Sequence, residues 1–386
     1  MGWKGSLCEM PLWALSRFFD AGIDPQREAP REILVLRPND YGDLLTSTPV
    51  FEALRRRFPT SRIVAGVGRW GRAVLENNPN VDEIVELDVP WNNKFVADQS
   101  LRNGFDFIWH SAQVQALRKR GGFDAGIDVL GSHMGAMLMM RLGVRYRVGV
   151  RGYRGGWSAC SKHIVFSTRV HVARAALAQA ELLGATSLPE ARPQLFLSAA
   201  ERSAGAQRWA EGTADGRRPV RLLVGCAAGL ADKSWPARAM GETLRQIVLA
   251  CEAGDIDVDV VMVGGAPDVA RAAEVLAHCG DTGRIRSLVG STTLRVTFAL
   301  AEQADVVITN PSMLLHVAAA FRRPTVAIVG GTFADAQLHD TVWGYPAPYC
   351  SVGPSVVVKG AHAVNWPSVG EVAEVVLKVI GVPVTT

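Results

Sequence analysis

Short runs of apolar residues recur along the chain, separated by segments whose apolar positions repeat at helical spacing. Ile33-Leu36, Ile63-Val67, Ile84-Leu87, Phe105-Trp109, Ala125-Val129 and Val148-Val150 read as strands. Strands that are apolar almost throughout, alternating with helices, predict a parallel sheet covered on both faces. A second alternation follows a polar stretch from Glu201 to Arg218, with strands at Val220-Gly225, Val258-Val263, Val306-Thr309 and Thr325-Val329. The class is therefore α/β, with two doubly wound units and an expected cleft between them.

The first strand runs into a turn of Pro38, Asn39, Asp40, Tyr41 and Gly42, after which Leu44, Leu45, Val50, Phe51 and Leu54 mark a helix. Ligands of such sheets collect at the carboxyl ends of strands. Asp43 sits there, on a first helical turn whose dipole favours a carboxylate, and is a candidate general base. A plain helix-capping role explains the same position. In the second unit, Val224-Gly225-Cys226-Ala227-Ala228-Gly229 carries a strand into a small-residue loop, where backbone can approach a phosphate closely. Thr309-Asn310-Pro311-Ser312 reads as a helix start with Asn310 as N-cap and Pro311 in the first turn, and a helix start directs free N–H groups at an anion.

At 386 residues the chain is comfortable for two cores, and its net charge of +4 comes from Lys and Arg scattered among Asp and Glu. Nucleic-acid binding has no positive support; a mildly basic surface suits anionic partners. Six cysteines without a C-x-x-C pair read as reduced, buried thiols rather than a disulfide framework or zinc site. In residues 1–30, Leu12, Trp13, Leu15, Phe18 and Phe19 line one side of a short helix that is neither a secretory signal nor a bilayer span. Packing against the body is the expectation there, with an interfacial anchor as the alternative. The Met1-Gly2 myristoylation pattern is read as chance.

Several segments, in order, carry a family resemblance. Arg37-Pro38-Asn39-Asp40-Tyr41-Gly42-Asp43, with Thr48-Pro49-Val50 after it, is similar to the opening of glycosyltransferase family 9, the bacterial ADP-heptose:lipopolysaccharide heptosyltransferases. Asn78-Pro79-Asn80-Val81-Asp82-Glu83-Ile84, Phe105-Ile108, Phe123-Asp128, Leu142-Gly149, Lys233-Ser234-Trp235-Pro236 and Asn310-His316 resemble further family elements. The resemblance runs from about Arg31 to the end of the chain. It implies a GT-B fold: an extension (1–30), an acceptor-binding Rossmann-like domain (31–200), a linker region (201–218), a nucleotide-sugar-binding Rossmann-like domain (219–368) and a last helix (369–386) that often crosses back in that fold.

The resemblance also implies roles. Asp43 takes the proton of an acceptor hydroxyl, with Arg37, Asn39 and Gly42 on the acceptor side. Lys233, Gly229, Asn310, Ser312, His316, Asp268 and Gly331 are on the donor side, with Lys233 neutralising diphosphate. No metal or cofactor is expected beyond the nucleotide-sugar donor, which the resemblance implies is ADP-linked. Implied partners are that donor and a lipid-linked glycan such as the lipopolysaccharide inner core, which brings a cytoplasmic enzyme to the inner membrane face; a secondary metabolite or protein acceptor demands the same chemistry. The chain departs from the family at the Asn310 loop, where Pro311 replaces Asp and Met313 replaces Gly, which points to a changed donor, to a sugar held from elsewhere, or to a catalytically weak nucleotide-sugar-binding homologue. The competing motif is Gly66-x-Gly68-x-x-Gly71 with Glu86 and Asp88 downstream, the pattern of an NAD(P)-dependent oxidoreductase. It follows the second strand of its unit, whereas that fingerprint normally follows the first.

Overall fold

A computed structural model describes residues 3–19, 22–211, 218–333, 335–354 and 365–382, with side chains from residue 9 onward. It divides into two units, Met1–Phe196 and Leu197–Thr386. Residues 212–217 of the expected linker and the Met1-Gly2 pattern lie outside the described residues.

Each unit is one parallel six-stranded sheet. The first contains β1 (Glu32–Leu36), β2 (Arg62–Val67), β3 (Glu83–Glu86), β4 (Ala125–Asp128), β5 (Tyr146–Arg151) and β6 (Lys162–Val165) in the order 3-2-1-4-5-6. The second contains β7 (Val220–Gly225), β8 (Val258–Val263), β9 (Ile285–Ser287), β10 (Val306–Thr309), β11 (Thr325–Ile328) and β12 (Tyr349–Val352) in the order 12-11-10-7-8-9. The order reverses between β1 and β4 in one sheet and between β7 and β10 in the other. The crevice outside the carboxyl ends of such a strand pair is where doubly wound sheets bind ligands. Ile33, Leu34, Val35 and Leu36 are all buried, as their unbroken apolar run requires of a central strand covered on both faces. The edge strands β6, β9 and β12 are short and at most half-buried, and for that reason escape an apolar-run reading.

The run Phe105-Trp109 is helical, not a strand: a helix covers Leu101–His110. Ser100 caps it by accepting the Asn103 N–H at 3.2 Å, and its buried positions, Gly104 and Ile108, are four apart. That spacing follows the helical period, leaving Phe105 and Trp109 exposed. Residues 201–210 of the expected linker are likewise helical. The helix Ala199–Ala210 opens with a capping box between Ser198 and Glu201, buries Trp209, and brings Gly205 against Ala299 of the helix Leu294–Gln303. Gly205 has no side chain to hold those helices apart. The last helix, Val369–Ile380, packs within the second unit, where Val372, Ala373 and Val376 join the core of Leu244, Ile247 and Val248.

The N-terminal helix Trp3–Ser16 packs on the first unit, as expected. Glu9 accepts the N–H groups of Gly156 at 2.8 Å and Ser158 at 3.1 Å, and Leu12 packs on Ala136, Met140 and Ala159. Among the described residues no helix is long and apolar enough to cross a membrane.

Glu201 is bound at both oxygens by Arg295, at 2.6 and 2.8 Å, and accepts from the Ser198 backbone. The Arg295 contact, with smaller help from Ser198 and against some desolvation, lowers its carboxyl from 4.5 to about 2. A depressed carboxylate stabilises the fold above its unfolded pKa and loses that contribution as the pH falls through the folded value. Unfolding monitored between pH 5 and pH 2 should show stability draining across that window, and Glu201→Gln should flatten this part of the profile while lowering stability at neutral pH.

Candidate active site

At the carboxyl end of β1, buried Arg37 donates its backbone N–H to Gly66 at 2.9 Å and places Nη2 3.2 Å from Asp43 Oδ2. Arg37 also reaches the Asp43 carbonyl at 3.4 Å and Asn39 Oδ1 at 3.4 Å. Asn39 donates to the Asn92 carbonyl at 2.8 Å, and its own carbonyl accepts Trp70 Nε1 at 2.6 Å. Asp43 thus stands partly exposed on the first turn of the helix Tyr41–Ser47, its carboxylate held by a buried guanidinium. The helix stops at Thr48, and Pro49 opens a second one, Pro49–Arg57. Gly42 lies inside the first turn of Tyr41–Ser47.

Residues not singled out from sequence complete this end of the first unit. Asp40 is the N-cap of that helix and lies 3.5 Å from Lys94 Nζ; burial raises its carboxyl, Lys94 opposes that, and neighbouring Asp43 adds to it. Phe95 packs on Trp70 at 4.7 Å and on Tyr41 at 5.6 Å between ring centres, so the loop after β3 folds over the helix start. Asp128 ends β4, in register with Leu36, and accepts the Ser132 N–H at 3.0 Å. Full burial drives its carboxyl above the usual range, against the backbone N–H groups and Arg37. Only the β1–β4 pairing brings it near Arg37, and that pairing has no local sequence signal.

The Gly66-x-Gly68-x-x-Gly71 reading is not met. Gly66 lies inside β2, where a Cβ would come 2.5 Å from Leu36 Cδ2; a Cβ at Gly68 would overlap the Trp70 indole; and one at Gly71 would meet Leu44 Cδ2 at 2.8 Å. Side chains of the protein fill the space a pyrophosphate would need. Asp88 is held by the backbone N–H of Arg69 at 2.9 Å and by Arg69 Nε at 2.7 Å.

In the second unit the loops after β7, β10 and β11 are knitted together. Asn310 is fully buried, accepting the Trp235 N–H at 2.7 Å and donating to the Gly225 carbonyl at 3.1 Å. Its side chain is therefore a buckle between the β7 and β10 loops and not the expected N-cap. Ser312 is the N-cap, so Pro311 precedes the helix Met313–Ala320, and Ser312 Oγ lies 3.1 Å from Thr309 Oγ1. Met313 is the first helical residue and is absent from the described non-glycine residues with positive φ, so the side chain that replaces the family glycine forces no backbone strain.

Lys233 ends a short turn, Ala231–Lys233, with Nζ 5.0 Å from the Phe333 ring centre. Ser234 Oγ accepts the Ala228 N–H at 2.9 Å and closes the loop that exposes Gly229. Gly331, at φ 63°, presses its α-carbon against the Asp232 carbonyl, where any side chain would collide, and Thr332 donates its hydroxyl to the Asp232 carboxylate. Arg271, also missed from sequence, donates to the carbonyls of Cys226, at 2.8 Å, and Trp235, bracing the same loop from the helix after β8. Asp268 accepts the Gly265 N–H at 2.9 Å and closes its own turn, as a capping Asp does. His316 is buried with Nδ1 2.7 Å from Tyr345 Oη, which places it in an aromatic cluster under the loop. Burial pushes the Cys226 thiol up to about 11, which keeps it protonated.

Lys233, Gly229, Ser312 and Gly331 thus gather at the switch point of the second sheet, and Arg37, Asn39, Gly42 and Asp43 at that of the first. Two Rossmann-like units, each with a polar cluster at its switch point, are the make-up of the GT-B fold. The chain belongs to glycosyltransferase family 9 (heptosyltransferase), whose profile matches residues 111–336. It is 26% identical over 323 residues to lipopolysaccharide heptosyltransferase 2 of Escherichia coli K12, covering 79% of this chain and 84% of that one. The glycosyl transferase family 9 protein of Veillonella parvula superposes with a TM-score of 0.71 at 18% identity, covering 91% of this chain and 96% of that one. E. coli ADP-heptose LPS heptosyltransferase II gives 0.67 at 21% identity, with 91% and 97% covered.

Proposed function

We propose that this glycosyltransferase moves heptose from ADP-heptose to a lipopolysaccharide inner-core hydroxyl, by inversion and without a metal. The observation that carries the reading is the Asp43 carboxylate, partly exposed and fixed by Arg37 at a strand end where ligands of such sheets bind. In the reaction the acceptor oxygen attacks the anomeric carbon opposite the diphosphate, the bond from that carbon to the phosphate oxygen breaks, and Asp43 receives the hydroxyl proton. Negative charge builds on the departing ADP. Lys233 and the N–H groups at the start of Met313–Ala320 stabilise it. Arg37 and Asn39 keep the Asp43 loop in place and offer polar groups to the acceptor. The relatives' names supply ADP-heptose and lipopolysaccharide as the first pair to try.

Thermal shift with ADP-, GDP-, UDP- and dTDP-sugars tests the donor, since a ligand that binds the native state alone stabilises it in proportion to its affinity. Selective stabilisation by ADP-heptose is expected, and selective stabilisation by NAD would overturn the reading. A chelator should leave transfer unchanged; loss of transfer that a divalent ion restores would contradict the lysine and helix-start account.

Pro311 and Met313 test donor choice. Pro311→Asp with Met313→Gly restores the family pattern at a cost of about 1 kcal/mol for glycine in the first helical turn. The parent is expected to use ADP-heptose; failure of the parent with transfer gained by the double variant would show that the loop selects another donor or silences the enzyme. Efficient use by the parent, with activity lost in the variant, would show that this loop holds the same donor in another way.

A further inference from the structure

From Val129 to Ala180 the chain carries Lys or Arg at eight positions and no Asp or Glu. The even scatter of charge along the whole chain does not hold here. Arg147 of this group is buried, with Nε on the Ala159 carbonyl at 2.7 Å, but Arg151, Arg154, Lys162 and Arg169 are exposed. Aromatic residues stand among them: Tyr153 and Phe166 stack with ring centres 4.6 Å apart, Arg154 lies over Tyr153 at 5.3 Å, and Arg151 over Trp157 at 4.6 Å. The N-terminal helix is pinned to this loop through Glu9 on Gly156 and Ser158, and Glu9 is itself buried by the contact. On its far side that helix and the turn after it present Met10 at 75% exposure, Trp13 at 53% and Phe18 at 85%, with Arg17 over Trp13. Trp13 and Arg17 share a cavity of about 380 Å³ with Arg145, Ser158 and Ser161, so the two segments form one surface.

We infer that this surface of the first unit is a contact for an anionic lipid bilayer. Exposed large apolar side chains, set among exposed cations, match an interface whose outer layer is negative and whose interior is hydrocarbon. A second copy of the chain is the poorer occupant, because a two-fold contact would set the basic loop against itself. Phe18, Met10 and Trp13 enter the acyl boundary, and Arg151, Arg154 and Lys162 meet the headgroups.

The test is sedimentation of the full chain with vesicles of phosphatidylcholine alone or mixed with phosphatidylglycerol, at low and high salt. Binding is expected to the mixed vesicles, at least tenfold tighter than to the neutral ones, and to weaken with salt. Arg151→Ala with Arg154→Ala should reduce it by roughly twenty-five-fold, at about fivefold per basic residue. Trp13→Glu with Phe18→Glu should reduce it by at least tenfold, and both variants should keep the parent melting temperature and ADP affinity. Absence of vesicle binding, unchanged binding in both variants, or salt-sensitive binding of RNA in place of vesicles would overturn the inference. Loss of ADP binding with vesicle binding intact would instead count against the proposed reaction alone.

Discussion

Asp43→Asn is expected to lower turnover by roughly a hundredfold or more while leaving nucleotide affinity nearly unchanged. Asparagine keeps the shape of the side chain but cannot take the acceptor proton. The loop should survive the change, because Arg37 also binds the Asp43 carbonyl and Asn39, and Asn39 is anchored to Asn92. Single-turnover transfer measured beside calorimetric ADP binding separates the two effects. Undiminished transfer would remove Asp43 from the chemistry. A parallel fall in ADP affinity would mean that the substitution disturbs more than proton acceptance.

Lys233→Ala should weaken ADP binding by about 1.5–3 kcal/mol, the scale of a charge-assisted hydrogen bond, which is roughly ten- to a hundred-and-fifty-fold in Kd. Adenosine, which lacks phosphates, should lose far less. The loop is held independently of this side chain by Ser234 on Ala228, by Arg271 on Cys226 and by the Gly331 contact with Asp232, so its path should persist in the variant. Equal losses for ADP and adenosine would point to a damaged fold rather than a missing phosphate contact.

The architecture was legible because central parallel strands must be apolar on both faces, which leaves an unbroken run such as Ile33-Leu36 in the sequence. Asp43 and Lys233 were legible because each lies within a few residues of such a run. What failed depended on neighbours remote in the chain. Asn310-Pro311 has the composition of a helix start, yet the Asn310 amide is drawn off by Trp235 and Gly225, and the cap passes to Ser312. The three glycines of the dinucleotide pattern are spaced as a phosphate turn, but Trp70 folds back over Gly68 and Leu36 packs on Gly66. Phe105-Trp109 is apolar enough for a strand, and only the burial of Gly104 and Ile108 declares it helical. Asp128 and Arg271 act through strand order and loop bracing, for which a linear pattern has no marker.

The most direct test of the account is a transfer reaction with the full chain, ADP-heptose and an inner-core lipopolysaccharide acceptor in the presence of chelator, followed by mass spectrometry and by NMR of the new glycosidic bond. The predicted result is an acceptor heavier by one heptose, with ADP released and an anomeric configuration opposite to the donor's. Bound ADP-heptose with no gain in acceptor mass, or a product that retains the donor's configuration, would contradict it.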